Sequence, residues 1–155
     1  KDRPWIVLFG TNKIATVDPE TMDLQIFDLP NSRARPRRLE ITSDDNIWYA
    51  DYANGKLGRF EPSSKNVKEW LLPGGDNARP YGIAKDDKDN IWIVEGGLNP
   101  NMFVGFDTHK EQFISRTEIP GNSVRGTIRH MYFHPPTREI WFGEDSNFIG
   151  RAQIP

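Results

Sequence analysis

The sequence reads as an all-β chain, a partial β-propeller of about four antiparallel blades, and three repeating marks carry that reading. Asn-Ile-Trp occurs at Asn46-Ile47-Trp48 and Asn90-Ile91-Trp92, with Glu139-Ile140-Trp141 and Pro4-Trp5-Ile6 as further copies, so the tryptophans stand 43, 44 and 49 residues apart. A period of about 40–45 residues is that of a propeller blade. After each Trp come an Asn and then an apolar-Gly or apolar-Ala pair: Asn12 with Ile14-Ala15, Asn54 with Leu57-Gly58, Asn101 with Val104-Gly105, and Asn147 with Ile149-Gly150. A third mark closes each unit, at Leu29-Pro30, Leu72-Pro73, Ile119-Pro120 and Ile154-Pro155. Between the marks lie short segments rich in β-branched and aromatic side chains, bounded by Asp, Asn, Gly and Pro clusters, which is strand-and-turn chemistry.

Taken in order, the blades are expected at about residues 1–32, 33–75, 76–122 and 123–155. The second unit sets the pattern, with strands expected at 37–42, 46–51, 56–60 and 67–72. Trp5 already belongs to a second strand and the segment after Asn147 is a third, which makes 3+4+4+3 strands in one domain. Open blade faces are apolar, so something must cover these ends. The missing N-terminal half of a longer polypeptide is the preferred cover, and a second copy of the chain is the alternative.

Composition narrows the function classes. The chain has 155 residues, 36% hydrophobic and 27% charged, with 20 Lys+Arg against 22 Asp+Glu. That length and balance support a real core and argue against disorder. The longest apolar run, residues 5–9, falls far short of the ~20 needed to span a bilayer. A net charge of -2 makes nucleic acid an unexpected partner, despite the cluster from Arg33 to Arg38. Zero cysteines exclude disulfides and thiolate chemistry without fixing a compartment. The start at Lys1, with neither Met nor signal pattern, reads as a mature form or an excised piece; a periplasmic or secreted bacterial location is expected, with the cytoplasm left open.

Arg-Pro opening an inner strand (Arg35-Pro36, Arg79-Pro80), then Asn-Ile-Trp, then Asn54 with Leu57-Gly58-Arg59-Phe60, then Leu72-Pro73, resembles the streptogramin lyase (virginiamycin B lyase) family of seven-bladed propellers. The run from Arg138 to Gly143, with Asn147 to Ala152, is similar to the family's C-terminal blade, so the chain resembles about the C-terminal half of a family propeller. Propellers of the NHL-repeat and gluconolactonase types carry similar marks. The resemblance implies metal-assisted elimination at the ester of a cyclic depsipeptide, using a His just after the opening Pro of one inner strand and a Glu-Pro-His in another. Counting back 12 residues from each Trp gives Pro36, Pro80 and Arg129, followed by Arg37, Tyr81 and His130. Only His130 matches the implied His, and Glu-Pro-His is absent.

The residues themselves add a second pattern. Asp51, Glu95 and Glu144 each stand three residues after a blade Trp, and reflecting positions about the hairpin turn sets Arg37 near Asp51, Tyr81 near Glu95 and His130 near Glu144. Arg33, Arg35, Arg38, Arg79 and Arg125 from the blade connections, and Asn54, Asn99 and Asn147 from the loops after the second strands, are expected at the same end. In the functional reading Glu95, Glu144 and Asp51 hold Mg2+ or Ca2+, His130 is a base oriented by Glu144, and Arg37, Tyr81, Arg129 and Arg79 bind a small-molecule or peptide-like ligand in the central cleft. In the structural reading each carboxylate simply holds its own hairpin. His109 and His134 read as exposed loop residues, and the blade tryptophans as packing between blades. Three functions stay open: a lyase, which needs His130; a cation-dependent lactonase, which needs the carboxylates; and a non-catalytic binding propeller segment.

Overall fold

Short β-branched segments bury an apolar face only by pairing, and here they pair into four antiparallel sheets of three, four, four and three strands. The computed structural model describes residues 3–120 and 126–155. The first blade holds β1 (Trp5–Leu8), β2 (Lys13–Val17) and β3 (Leu24–Asp28), and the second β4 (Pro36–Ile41), β5 (Ile47–Asp51), β6 (Lys56–Glu61) and β7 (Asn66–Leu71). The third holds β8 (Pro80–Lys85), β9 (Ile91–Glu95), β10 (Met102–Asp107) and β11 (Gln112–Glu118), and the fourth β12 (Ile128–His134), β13 (Glu139–Glu144) and β14 (Ile149–Gln153). Each sheet is a meander in chain order, and none is closed. Among the described residues no helix is long and apolar enough to cross a membrane.

The sequence marks now have physical causes. Asp86, 1% exposed, accepts hydrogen bonds from the backbone of Lys88 and Asn90, the side chain of Asn90 and Nε1 of Trp92, so Asn and Trp are tied to the start of their own turn. In the second blade the Oγ1 of Thr42 accepts from Trp48 Nε1 at 3.1 Å. The closing Leu or Ile is buried, and its N–H donates to the loop that opens the third strand: Leu29 to Asn12, Leu72 to Gly55 and Ile119 to Asn101, at 2.8–3.0 Å. Ile154 is a different case. It follows a third strand and donates to Arg138, so Ile154-Pro155 is not the blade-closing mark it resembles.

Cores form between blades. Trp5 meets Phe60 of the second blade at 5.7 Å, Trp48 meets Phe106 of the third at 5.5 Å, and Trp92 shares a cluster with Ile140 and Phe142 of the fourth. Trp141, at the same position on the last blade, is 38% exposed. His109 is exposed in its turn, but His134 is the half-buried last residue of β12, with Nδ1 2.8 Å from Thr137 Oγ1.

Gly58 faces Tyr49 across the β5–β6 ladder, and a Cβ there would lie 2.1 Å from the Tyr49 ring. Tyr49 is fully buried and its hydroxyl donates to Glu69, so the ring has nowhere to go. Gly58→Ala is therefore expected to lower stability by about 1–3 kcal/mol in urea unfolding.

Glu40, on the inner strand β4, is raised by burial to a pKa of about 7, with the charge of Lys85 on β8 offsetting only part of that. The folded state holds this proton more tightly than the unfolded chain, so stability is expected to fall as pH rises from about 4.5 through 7. Glu40→Gln should flatten that slope, by at most about 3 kcal/mol, when urea midpoints are compared at pH 5 and pH 8.

Candidate functional site

The inner strands β4, β8 and β12 lie side by side, and their openings bring the sequence candidates to one end of the blades. The register corrects the expected hairpin pairs. Pro36 stands opposite Asp51, Pro80 opposite Glu95 and Ile128 opposite Glu144, and in each ladder an extra inner-strand residue follows as a bulge. Arg37, Tyr81 and Arg129 are therefore the equivalent residues, turned out of the ladder beside it. The fourth hairpin has one residue more in its turn, since Trp141 pairs with Tyr132 where Trp48 pairs with Glu40. Counting back from Trp141 by the interval of the other blades thus slips by one. Arg129, not His130, follows the position of the opening Pro.

His130 pairs with Gly143, is exposed, and shares no hydrogen bond or ion pair with Glu144 among the described residues. Glu144 lines a small cavity of about 120 Å³ with Phe148 and Ile149, and its Oε1 is buried there without a partner among the described residues. The other two carboxylates are engaged. Asp51, fully buried, accepts from the backbone of Arg35 and Ala53 and from Asn54 Nδ2 at 2.7 Å. Glu95, also fully buried, accepts from Gly74 N at 2.5 Å and from Arg116 on the outer strand at 3.0 Å. Each holds a blade connection, Asp51 at Arg35 and Glu95 at Gly74, and not the Arg37 or Tyr81 of its own hairpin that the structural reading assigned to it. Among the described residues no three His, Asp or Glu side chains are gathered as a metal site, and Asp51 and Glu95 already accept from protein donors.

What the fold does assemble is a guanidinium–aromatic cluster. The Arg37 guanidinium carbon lies 4.1 Å from the centre of the Phe9 ring and 4.3 Å from that of Tyr81, and Arg37 donates to the Tyr81 hydroxyl at 2.5 Å. Arg129 lies 5.4 Å from the centre of the same ring and grips Asp145 with three hydrogen bonds of 2.8 to 2.9 Å. Arg38 also approaches Tyr81, at 5.7 Å, and Arg79 approaches Tyr52 at 6.0 Å. Burial pushes the Tyr81 phenol up, but hydrogen bonding and charge from Arg37 and Arg129 outweigh it and hold the phenol below the usual tyrosine value. Arg129 in turn draws the Asp145 carboxyl below its ordinary range.

Phe9, Tyr52 and Asp145 escaped the sequence reading, yet they share a position. Each follows the residue at the carboxylate position of its blade, as the pairings Leu8 with Lys13 and Asp51 with Lys56 make plain. An open cleft of about 570 Å³ is lined by Phe9, Arg35, Tyr52, Asp76 and Arg79, and a neighbouring one of about 480 Å³ by Arg33, Asn54 and Lys56. Asn54 serves Asp51, and Asn147 adopts the left-handed backbone at φ 67°. Arg125 lies outside the described residues.

No protein-family model matches the chain, and no curated protein does. Solved structures do. A catalytically inactive variant of virginiamycin B lyase from Staphylococcus aureus, crystallised with quinupristin, superposes with a TM-score of 0.80 at 24% identity over 100% of this chain and 53% of its own. A streptogramin B lyase structure gives 0.79 at 19% identity, over 99% and 51%. YCF48 bound to D1 peptide gives 0.69 at 13% identity, over 93% and 44%. The chain spans about half the length of the lyase structures it matches. Its four sheets have the fold of about half of a virginiamycin B lyase propeller.

Proposed function

We propose that this chain is half of a streptogramin lyase-like propeller and that its guanidinium–aromatic cluster carries out C–O elimination on an ester of a peptide-like ligand. Tyr81 supplies the observation that carries this reading: it directly follows Pro80, at the place where the resemblance implies a His, and two guanidinium groups flank its phenol. A phenol held below its usual pKa is a competent base. As phenolate, Tyr81 takes the proton from the carbon next to a carbonyl; that electron pair forms the C=C bond, and the ester C–O bond breaks. The leaving carboxylate is an anion, which Arg37 and Arg129 are suited to receive. No step is routed through a metal ion.

A second reading, a non-catalytic binding segment, is favoured by the exposure of Tyr81, which is only 7%, and by its standing hydrogen bond to Arg37. The same cluster then recognises a carboxylate on its ligand.

Incubation with quinupristin, followed by mass spectrometry for the ring-opened alkene, separates the two. In the elimination reading Tyr81→Phe lowers turnover by about 100-fold or more while His130→Ala leaves it intact. Arg37→Ala removes the hydrogen bond that favours phenolate and should move the rising limb of the pH–rate profile to higher pH. Turnover that survives Tyr81→Phe overturns Tyr81 as base. Binding without turnover, weakened by Arg37→Ala and by Arg129→Ala, supports the second reading.

A further inference from the structure

Beside the Tyr81 cluster lies a cleft that the elimination does not use. Its volume of about 570 Å³ is in the range of small-ligand sites, and Phe9, Arg35, Tyr52, Asp76, Asn77 and Arg79 line it. Tyr52 forms the apolar wall. Its half-buried ring meets Phe9 edge-on at 5.9 Å and Tyr81 at 6.3 Å, while Phe9 is 37% exposed. Rings fixed in this way give a planar aromatic group a surface to pack on.

The two arginines of the cleft are held ready by different means. Arg35 Nη1 donates to the carbonyls of Ser32 and Ala34 at 3.3 and 2.6 Å, which fixes the guanidinium and leaves Nε and Nη2 without a partner among the described residues. Arg79 precedes Pro80, a place where extended backbone is the rule, yet its φ is 43°. Left-handed backbone is unfavourable for a residue with a Cβ, and a loop of the third blade holds it there. Gly97 N donates to Ala78 O at 2.9 Å, and a Cβ on Gly97 would lie 2.1 Å from Asn77 O and 2.9 Å from Arg79 Cβ. The connection is thus seated on a glycine. The Arg79 guanidinium stands 6.0 Å from the centre of the Tyr52 ring, with no hydrogen bond or ion pair among the described residues.

We propose that this cleft binds the C-terminal end of a linear peptide whose last residue is aromatic. A carboxylate matches the fork of donors on a guanidinium, and Arg35 and Arg79 both have donors to give. One negative charge is preferred over two because Asp76 sets a carboxylate against the two arginines, which leaves the lining a single net positive charge. Asp76 and Asn77, both exposed, also offer acceptors to the amide N–H of the bound residue, and the rings of Phe9 and Tyr52 take its side chain. None of this requires proton transfer at Tyr81, so binding in the cleft is independent of the elimination.

The test is isothermal titration of the full chain with N-acetylphenylalanine. Saturable binding at one site is expected, about tenfold or more tighter than that of N-acetylphenylalaninamide, which has no carboxylate, or of N-acetylalanine, which has no ring. Phenyl phosphate, close to a dianion at neutral pH, should bind more weakly, and Asp76→Asn should narrow that difference. Arg79→Ala should weaken N-acetylphenylalanine about tenfold, while Arg129→Ala, in the neighbouring cluster, leaves its Kd unchanged. The proposal is overturned if N-acetylphenylalanine does not bind at millimolar concentration, if the amide binds as tightly, if phenyl phosphate binds more tightly, or if Arg129→Ala weakens binding as much as Arg79→Ala does. The ligand series on the unmodified chain decides the matter even where a variant fails to fold.

Discussion

The first and second blades of this chain are each held to the next by a Trp of the second strand, laid against a Phe on the third strand of the following blade. Trp48 shows what that contact demands. Its indole is 1% exposed, stacked on Trp70 at 5.4 Å and tilted against Phe106, while its Nε1 is anchored to Thr42. A four-stranded sheet alone would leave both faces in water, so the stack of blades, not the single blade, is the stable unit. The terminal faces follow from the same contact: Trp141 and Tyr132 at one end, Ile6 and Ile26 at the other, are apolar because their positions are interface positions.

That stacking fixes where the inner strands come together, and the bulges fix what they present. A bulge after Pro36, Pro80 and Ile128 turns one side chain per blade out of the ladder. Without it Arg37, Tyr81 and Arg129 would alternate into the interblade core with their neighbours. The carboxylates opposite the bulges are the complement of this arrangement. Asp51 ties down the backbone of Arg35, just before the bulge, and Glu95 ties Gly74, in the connection that leads into its own blade. Buried charges that are fully hydrogen-bonded hold loops in place, and here they hold the loops that carry the cluster.

The blade count and the strand order were legible because their marks are local. Asn-Ile-Trp is a turn closed onto its own start, and Leu-Pro is a bond back to one loop, so both repeat wherever the chain repeats. The site was legible only in part, because it depends on register. Arg37, Tyr81 and Arg129 are ligand candidates in the sequence, but the partners expected for Arg37, Tyr81 and His130 come from reflecting about a turn, which assumes a regular ladder. Bulges break that assumption in the second, third and fourth blades, and the extra residue in the turn between His134 and Glu139 breaks the spacing once more. Phe9, Tyr52 and Asp145 carried a findable signal, the position one past the carboxylate, but their residue types have nothing in common. Only the fold reveals that a phenyl ring, a phenol and a carboxylate serve neighbouring guanidinium groups.

The same register logic explains why this cluster suits an anion. Five arginines, Arg35, Arg37, Arg38, Arg79 and Arg129, lie at or just before the inner-strand openings, while two of the three nearby carboxylates, Asp51 and Glu95, are buried and spoken for. Arg129 has Asp145, but among the described residues Arg37 has only a phenol and two ring faces as its partners. An aromatic face attracts a cation without neutralising it, so the positive potential at Arg37 stays available to an incoming negative group. In the proposed elimination Tyr81 couples that potential to chemistry: the interactions that would draw a carboxylate into the cleft are those that make its phenol acidic, so binding and proton transfer would draw on a single pair of arginines.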